Sequence, residues 1–320
     1  MTKKIAIVGK GFGLRAHLPA LRALKHEVVA LVTRDQVQAE QLAKENGITR
    51  GLGDWKRLLD LSELDGVILS CPPKIQYEIG RVLLDKNIPV FFEKPLATNP
   101  EQSAELLKLA TTHQVPTAIN FEFPESLAFQ WATKMISENT LGPLKRLSYH
   151  WHVQTYASRN NIQSWKTNPD DGGGALMQFG SHALYHIEGF SGPIQTITKS
   201  TLSNTAFSLT LNAQSGAMID LNVDTNDPGP WVHRIRFIGE HQEGILENLT
   251  HDYLNHFQWR SSGQIKSFPD FQPDGRIAAI SALLDRWIKS IDHRKRMHPN
   301  VEDGHRIQCL LAEAIRRSLT

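Results

Sequence analysis

Ile5-Ala6-Ile7-Val8-Gly9-Lys10-Gly11-Phe12-Gly13-Leu14-Arg15-Ala16-His17 decides the fold of this 320-residue chain. A short apolar run passes directly into a turn with glycine at alternate positions. Apolar residues at helical spacing follow, over Leu14–Leu24. A dinucleotide-binding turn needs this context: glycine where the backbone bends tightly and where it approaches a pyrophosphate, then a helix offering free N–H groups to the anion. Counted from Gly9, the third glycine position holds Leu14. Counted from Gly11, the stretch reads Gly11-x-Gly13-x-x-Ala16, with alanine allowed last. Gly9, Gly11, Phe12 and Gly13 are therefore candidate cofactor contacts, against the plainer reading of a tight turn.

Outward from this turn, strand and helix alternate through the first 121 residues. Strands are expected at Val28–Thr33, Gly66–Ser70, Pro89–Phe92 and Thr117–Phe121. Helices are expected at Gln36–Asn46, Trp55–Asp60 (capped by Asp54), Gln76–Lys86 and Pro100–His113. Repeated βα units imply right-handed crossovers and a doubly wound parallel sheet, an α/β Rossmann domain over residues 1–121. Thr33-Arg34-Asp35 at the end of the second strand faces the adenosine ribose. Arg34 beside a hydroxyl suits the 2′-phosphate of NADP, while Asp35 suits the ribose of NAD; either side chain can also simply be solvated. Glu93-Lys94-Pro95 ends the strand Pro89–Phe92, at the C-terminal edge where open parallel sheets hold ligands. Lys94 reads there as a cation beside a reacting carbon, or as an exposed loop lysine.

The rhythm changes after residue 121. A helix at Ser126–Asn139 is followed by alternating segments at Lys145–Thr155, Gln195–Ser203, Ala206–Asn212, Ala217–Asp224, His233–Gly239 and Gly244–Leu249. Helical spacing covers Ala175–Phe190, Arg276–Ser290 and Asp303–Leu319. Alternation with short turns such as Ser215-Gly216 predicts antiparallel strands with one packed face. Residues 122–320 are then expected to form an α+β domain with an open, mainly antiparallel sheet, the part left to bind substrate and join subunits.

Thirty-five basic and 33 acidic residues leave a net charge of +2, which points to neither nucleic acid nor an anionic membrane. The basic run His293-Arg294-Lys295-Arg296 reads as a solvated loop. Only Cys71 and Cys309 occur, so no disulfide framework is implied and a reducing compartment fits. The first apolar run is too short for a signal peptide core, and no run approaches membrane-spanning length. The expectation is a soluble cytoplasmic protein.

Taken together, these motifs resemble the glucose–fructose oxidoreductase/inositol dehydrogenase (Gfo/Idh/MocA) family. The likeness is carried by the glycine turn with His17-Leu18-Pro19-Ala20-Leu21, Ser70-Cys71-Pro72-Pro73, and Phe91-Phe92-Glu93-Lys94-Pro95-Leu96-Ala97. Gly172-Gly173-Gly174-Ala175-Leu176, Gly180-Ser181-His182 and Pro299-x-x-x-Asp303-Gly304 complete it. The resemblance implies hydride transfer at a carbon bearing hydroxyl or carbonyl, on a sugar, cyclitol or related polyol, while Arg34 with its hydroxyl neighbour favours NADP over NAD. It adds Cys71, Pro72, Pro73, Glu93 and Lys94 to the cofactor contacts. It makes Lys94 the contact to the reacting oxygen and His182 the acid/base, where the plainer reading of His182 is a cap or core residue.

One departure bears on the proton. The family places aspartate four residues before this histidine, on the same helix face, and often another three residues after it; this chain has Gln178 and Tyr185. Glutamine can orient an imidazole but accepts no proton at neutral pH. Tyr185 could serve as a proton donor, or His182 could act alone or with water. A second reading follows, a catalytically silent NAD(P)-binding regulator or sensor of the same fold. His182, His186 and Glu188 invite a metal, but the residues between the histidines are Ala183-Leu184-Tyr185 and no metal is expected. Asn120, Tyr156, Arg159, Trp165, Lys166 and His182 are candidate substrate contacts, since tryptophan stacks on sugar faces and cations suit carboxylates or phosphates. A loop folded over its own aromatic is the competing view of Tyr156–Lys166. Exposed apolar surface on the open sheet would favour a homodimer or homotetramer.

Overall fold

The opening apolar run is β1 (Lys4–Val8), buried from Ile5 onward. It lies inside a six-stranded sheet in the computed structural model, which describes residues 2–319. The chain leaves Gly9 through one π-helical turn, Gly13–His17, which runs on into α1 (Leu18–Ala23). β2 (Glu27–Val32), α2 (Gln36–Glu45) and β3 (Arg50–Leu52) follow. A 3-10 turn at Trp55–Asp60, capped by Asp54, leads to β4 (Gly66–Leu69) and α3 (Pro73–Asp85). β5 (Val90–Phe92), α4 (Pro100–Thr112) and β6 (Thr117–Ile119) complete the alternation. The strand order β3-β2-β1-β4-β5-β6 is parallel throughout. The order reverses between β1 and β4, so the ends of these strands form the crevice where such sheets bind ligands.

Three details differ from the sequence reading. β3 is only three residues long, too short to show a period. α3 starts three residues before Gln76, because Pro73 at its first position has the φ a helix needs and no N–H to waste. β6 stops at Ile119 rather than Phe121, and the chain turns at once into a 3-10 turn, Phe123–Glu125.

In the second half, α5 (Leu127–Ser137) is capped by Ser126, whose hydroxyl accepts the Phe129 N–H. β7 (Leu144–His152), the short α6 (Tyr156–Arg159) and a π-helical turn at Leu176–Gly180 lead into α7 (Ser181–Ser191). Seven strands follow: β8 (Ile194–Leu202), β9 (Ala206–Ala213), β10 (Met218–Asp224), β11 (Val232–Gly239), β12 (Glu243–Asn248), β13 (Gln258–Ser261) and β14 (Gln264–Ser267). With β7 they form an eight-stranded sheet in the order β14-β13-β12-β11-β7-β10-β9-β8. Every pair is antiparallel except β7 with β10. β13 and β14 went unread because β14 is exposed at every position, so no alternation marks it.

One sheet face is apolar and meets the helices, with Phe190 edge-on to Phe237 and Phe129 edge-on to Phe257. The other face is not the apolar surface expected. It carries cross-strand ion pairs: Arg146 with Asp220, Arg236 with Glu243, and Arg234 and Arg260 both on Glu247.

α8 (Gly275–His293) and α9 (Val301–Ser318) end the chain. Compact units do not follow a single cut near residue 121. One comprises Met1–Asn120 with Ile277–Gln308; the other comprises Phe121–Arg276 with Cys309–Thr320. The core explains the assignment. Ile280, Leu283, Leu284 and Trp287 join Ile5, Ile7, Leu31, Ile68 and Phe91 in one buried cluster. Trp287 packs edge-on to Phe91 at 5.6 Å. Gly66 leaves room for it, since a Cβ there would lie 2.8 Å from the indole.

The second unit holds a polar knot in its apolar core. Tyr149 Oη lies 2.7 Å from His233 Nε2 and 3.2 Å from His186 Nδ1, with all three residues buried. A phenol has one proton to give, so one imidazole accepts it and the other donates its own N–H back, which suits two neutral rings. Burial pushes His233 down to about 3 and holds His186 well below the ordinary range, with the His233 charge adding to the latter. Both histidines regain a pKa near 6.5 on unfolding. The unfolded chain therefore binds more protons between pH 6.5 and about 3, so stability present above pH 6.5 is lost as pH falls through this window. The slope expected for His233 is about 1.4 kcal/mol per pH unit. Melting temperatures from pH 7 to pH 4 check this, and His233→Gln should flatten the fall; an unchanged slope would refute the assignment.

Candidate active site

In the first unit, the glycine turn is shaped by three separate demands. Gly9 adopts φ +110° and donates its N–H to Val32 O at 2.9 Å; a Cβ there would lie 2.0 Å from Ser70 O. A Cβ on Gly13 would lie 2.7 Å from Ile7 Cγ2, whereas one on Gly11 would meet no atom within 4 Å. Packing thus requires Gly9 and Gly13, and Gly11 leaves bare backbone open to an approaching group. That is the cradle a pyrophosphate needs.

Beyond β2, Asp35 is occupied as the cap of α2, accepting the Gln38 N–H at 2.7 Å. Thr33 Oγ1 donates to Asp35 O at 2.8 Å, and the Arg34 side chain projects from an exposed residue between them. Lys10, in the glycine turn, donates to Gln38 Oε1 at 2.7 Å, which sets a second cation beside the first turn of α2. Cys71 and Pro72 follow β4, and Pro73 begins α3. Burial pushes the Cys71 thiol up to about 12, with Glu93 adding to the shift, so it is no thiolate nucleophile at neutral pH.

The Glu93-Lys94 segment is clamped by a side chain that sequence reasoning missed. Gln76, fully buried on α3, donates through Nε2 to Glu93 O (2.8 Å), Pro95 O (3.1 Å) and Leu96 O (3.0 Å). Its Oε1 accepts the Glu93 N–H at 2.8 Å. The backbone on both sides of Lys94 is therefore fixed from one amide. Glu93 turns inward, 2.6 Å from His17 Nε2, and accepts the Asn120 amide at 3.0 Å. Glu93, expected as a cofactor contact, also ties the glycine-turn helix to the ends of β5 and β6. Asn120 Oδ1 is buried with no hydrogen-bond partner among the described residues.

In the second unit, His182 lies on the first turn of α7, and its Nε2 is 3.8 Å from Glu122 Oε2. The two side chains are 5% and 6% exposed, so water screens the pair little. Phe123 and Phe121 stand edge-on to the imidazole at 5.1 and 6.1 Å, and His186 lies one turn along the helix with ring centres 5.9 Å apart. Burial works against the Arg276 charge, but the hydrogen-bonded Asp274 and the nearby Glu122 carboxylate hold its pKa above the ordinary value. Gln178 reaches the Gly172 carbonyl at 3.4 Å, and Tyr185 stacks on Phe121 with centres 4.3 Å apart. His186 serves Tyr149, and Glu188 accepts the Ile194 N–H at 2.8 Å.

The candidate substrate residues of the second unit, apart from His182, lie on the segment 154–173. Tyr156 is 76% exposed on α6, which also carries Arg159. Lys166 Nζ sits 5.7 Å over the ring of its neighbour Trp165. Asn204 anchors it by donating to Thr167 O at 2.9 Å, and Gly173 has no room for a side chain, its Cβ falling 2.1 Å from Trp165 O. Glu122 was the other residue missed. Its signal was present in Phe121-Glu122-Phe123, a lone charge inside an apolar run, which has to find a partner if buried.

Comparison with known proteins matches both halves. The description "Oxidoreductase family, NAD-binding Rossmann fold" fits residues 3–121, and "GFO/IDH/MocA C-terminal domain" fits residues 129–243. An oxidoreductase of Synechocystis sp. is 26% identical, over 96% of this chain and 91% of its own length. D-xylose 1-dehydrogenase (NADP(+)) 2 of Haloferax volcanii is 23% identical, over 71% of this chain and 70% of its own. Levoglucosan dehydrogenase, solved with NADH and levoglucosan, superposes with a TM-score of 0.87 at 16% identity, covering 100% of this chain and 98% of that one. At that identity the likeness is one of fold.

Proposed function

The chain belongs to the Gfo/Idh/MocA family of oxidoreductases, and from that premise we propose that it moves hydride between NADP and a hydroxyl- or carbonyl-bearing carbon of a sugar-like polyol. The observation that carries this reading is the clamp by which Gln76 holds the backbone on both sides of Lys94 at the C-terminal end of β5. Bound nicotinamide dinucleotide would take up or supply the hydride. Gly9, Gly11, Phe12 and Gly13 would hold its pyrophosphate, with Cys71, Pro72 and Pro73 alongside.

Oxidising a carbinol also requires removal of its hydroxyl proton. His182 is assigned to accept it, imidazole being the side chain suited to proton transfer at neutral pH. Lys94 is assigned to the developing alkoxide, where a fixed ammonium stabilises charge that the ground state lacks. Asn120, with its buried acceptor, is assigned to a substrate hydroxyl. Tyr156, Arg159, Trp165 and Lys166 stay with substrate recognition, and Gln178 and Tyr185 with the surroundings of His182.

The preference for NADP rests on the use of Asp35 as a helix cap, which leaves Arg34 as the group able to grip a 2′-phosphate. Arg34→Ala should weaken NADPH binding roughly 10–100-fold, the worth of a charge-assisted contact, and leave NADH within about twofold. Fluorescence titration of both nucleotides reads this directly, and equal losses for both would refute the NADP assignment. A relative named for its substrate supports the sugar reading: the Haloferax volcanii protein is a D-xylose 1-dehydrogenase (NADP(+)).

The test of the whole reading is NADPH oxidation and NADP reduction against aldoses, cyclitols, keto-sugars and nucleotide sugars. Turnover in any class supports it. Nucleotide binding with no turnover across all four would turn the reading into that of a sensor. No helix among the described residues is long and apolar enough to cross a membrane. Cytoplasmic location and assembly into a homodimer or homotetramer through the polar sheet face belong to the proposal.

A further inference from the structure

We propose that Glu122 is the carboxylate partner of His182, stabilising the imidazolium that forms when the histidine takes the carbinol proton. It would do so from the start of the 3-10 turn Phe123–Glu125, in place of the aspartate that this chain lacks at position 178. The inference rests on the reading of His182 as the acid/base. Three observations support it. Glu122 Oε2 lies 3.8 Å from His182 Nε2, and both side chains are withdrawn from water. Position 178, where the family pattern puts a carboxylate, holds a neutral amide that reaches the Gly172 carbonyl. Glu122 has Arg276 near enough to stabilise its own charge, so a buried carboxylate can persist while the histidine is neutral.

The proton inventory is simple. The carbinol O–H bond breaks and an imidazole N–H bond forms. The ring gains one positive charge beside a carboxylate that stays ionised, and no oxidant or reductant beyond the hydride acceptor is needed. Because imidazolium charge is shared by both nitrogens, the effect of Glu122 does not depend on which nitrogen receives the proton. An opposite charge at this range typically moves a pKa by about 1–3 units. Within this unit Glu122 and His186 face the His182 ring, and the Arg276 charge acts on Glu122.

The test needs no substrate. The full-length chain carrying 13C-labelled histidine is titrated by NMR, and the His182 Cε1–H signal is assigned by its loss in His182→Gln. Glu122→Gln is expected to lower the His182 pKa by about one unit or more, and Glu122→Asp to retain most of the parent value. Arg276→Gln should move it the other way, upward, by freeing the carboxylate to act on the imidazole alone. A His182 pKa that is the same in parent and Glu122→Gln would overturn the proposal. So would Arg276→Gln and Glu122→Gln shifting it in the same direction, since that is the mark of a carboxylate serving only to hold Arg276. In any sugar of the panel that turns over, Glu122→Gln should cut kcat about 10-fold or more, with NADPH affinity unchanged and recovery in Glu122→Asp. Failure of the acid/base reading is separable: it would show as undiminished turnover in His182→Gln, whatever the titration gives.

Discussion

Lys94→Ala should lower turnover roughly 10²–10³-fold, the loss typical when one preorganised group facing a developing oxyanion is removed. NADPH binding should survive. The reason for expecting a separation is that the clamp is made to backbone atoms. Gln76 bonds to the backbone of Glu93, Pro95 and Leu96, and Glu93 is fixed by His17 and Asn120. Alanine at 94 leaves all of these bonds in place and removes the ammonium with its stem. Its effect should fall on kcat more than on KM, because charge on the substrate oxygen exists in the transition state and not before it. Steady-state rates on a sugar that the parent turns over, beside a fluorescence titration of NADPH, give both quantities. Equal rates in parent and variant would remove Lys94 from the chemistry.

Gly9→Ala should cost the first unit its fold or its cofactor. The new methyl would lie 2.0 Å from Ser70 O and 2.7 Å from Ser70 C, both backbone atoms of the neighbouring strand end. No rotamer relieves such a clash, because a Cβ has none. The φ of +110° adds strain of its own for any residue with a side chain. Relief requires β1 and β4 to separate where their ends meet, at a cost above about 3 kcal/mol. Gly11→Ala meets no atom within 4 Å, so the free protein should be as stable as the parent. Its loss should appear in nucleotide affinity, where the methyl occupies the approach to the backbone. Thermal melts of the two variants with and without NADPH separate these cases. A Gly9→Ala protein as stable as its parent would contradict the geometry of the turn.

The parallel half of the fold was legible because its signals are local. Strand, glycine turn and helix follow one another in sequence, and Asp35, Asp54 and Asn99 cap helices as short polar residues do. The alternating half was legible wherever one face is buried, and unread at β14, where neither is. The character of the open sheet face was misjudged for a related reason. Alternation says that one face is polar, but Arg146–Asp220 and the Arg234–Glu247–Arg260 group become ion pairs only through strand register, which no single segment contains. The site divides in the same way. Lys94 and His182 announce themselves by motif. Gln76 and Glu122 do not, because their importance lies in the atoms they meet, 17 residues away for Gln76 and Glu93, and far along the chain for Glu122 and His182.

Trp287 gives the nucleotide-binding unit a particular relation to its own synthesis. The slot over Gly66 and Phe91 is filled from a helix near the end of the chain. When a ribosome has finished the six parallel strands, the surface that Ile280, Leu283, Leu284 and Trp287 will cover is still bare. More than 150 residues of the other unit, Phe121–Arg276, must emerge before the missing helix is made. The unit whose translation begins first therefore cannot close until the chain is nearly finished, and its parallel sheet waits with an apolar face open, a state in which nascent chains are prone to aggregate.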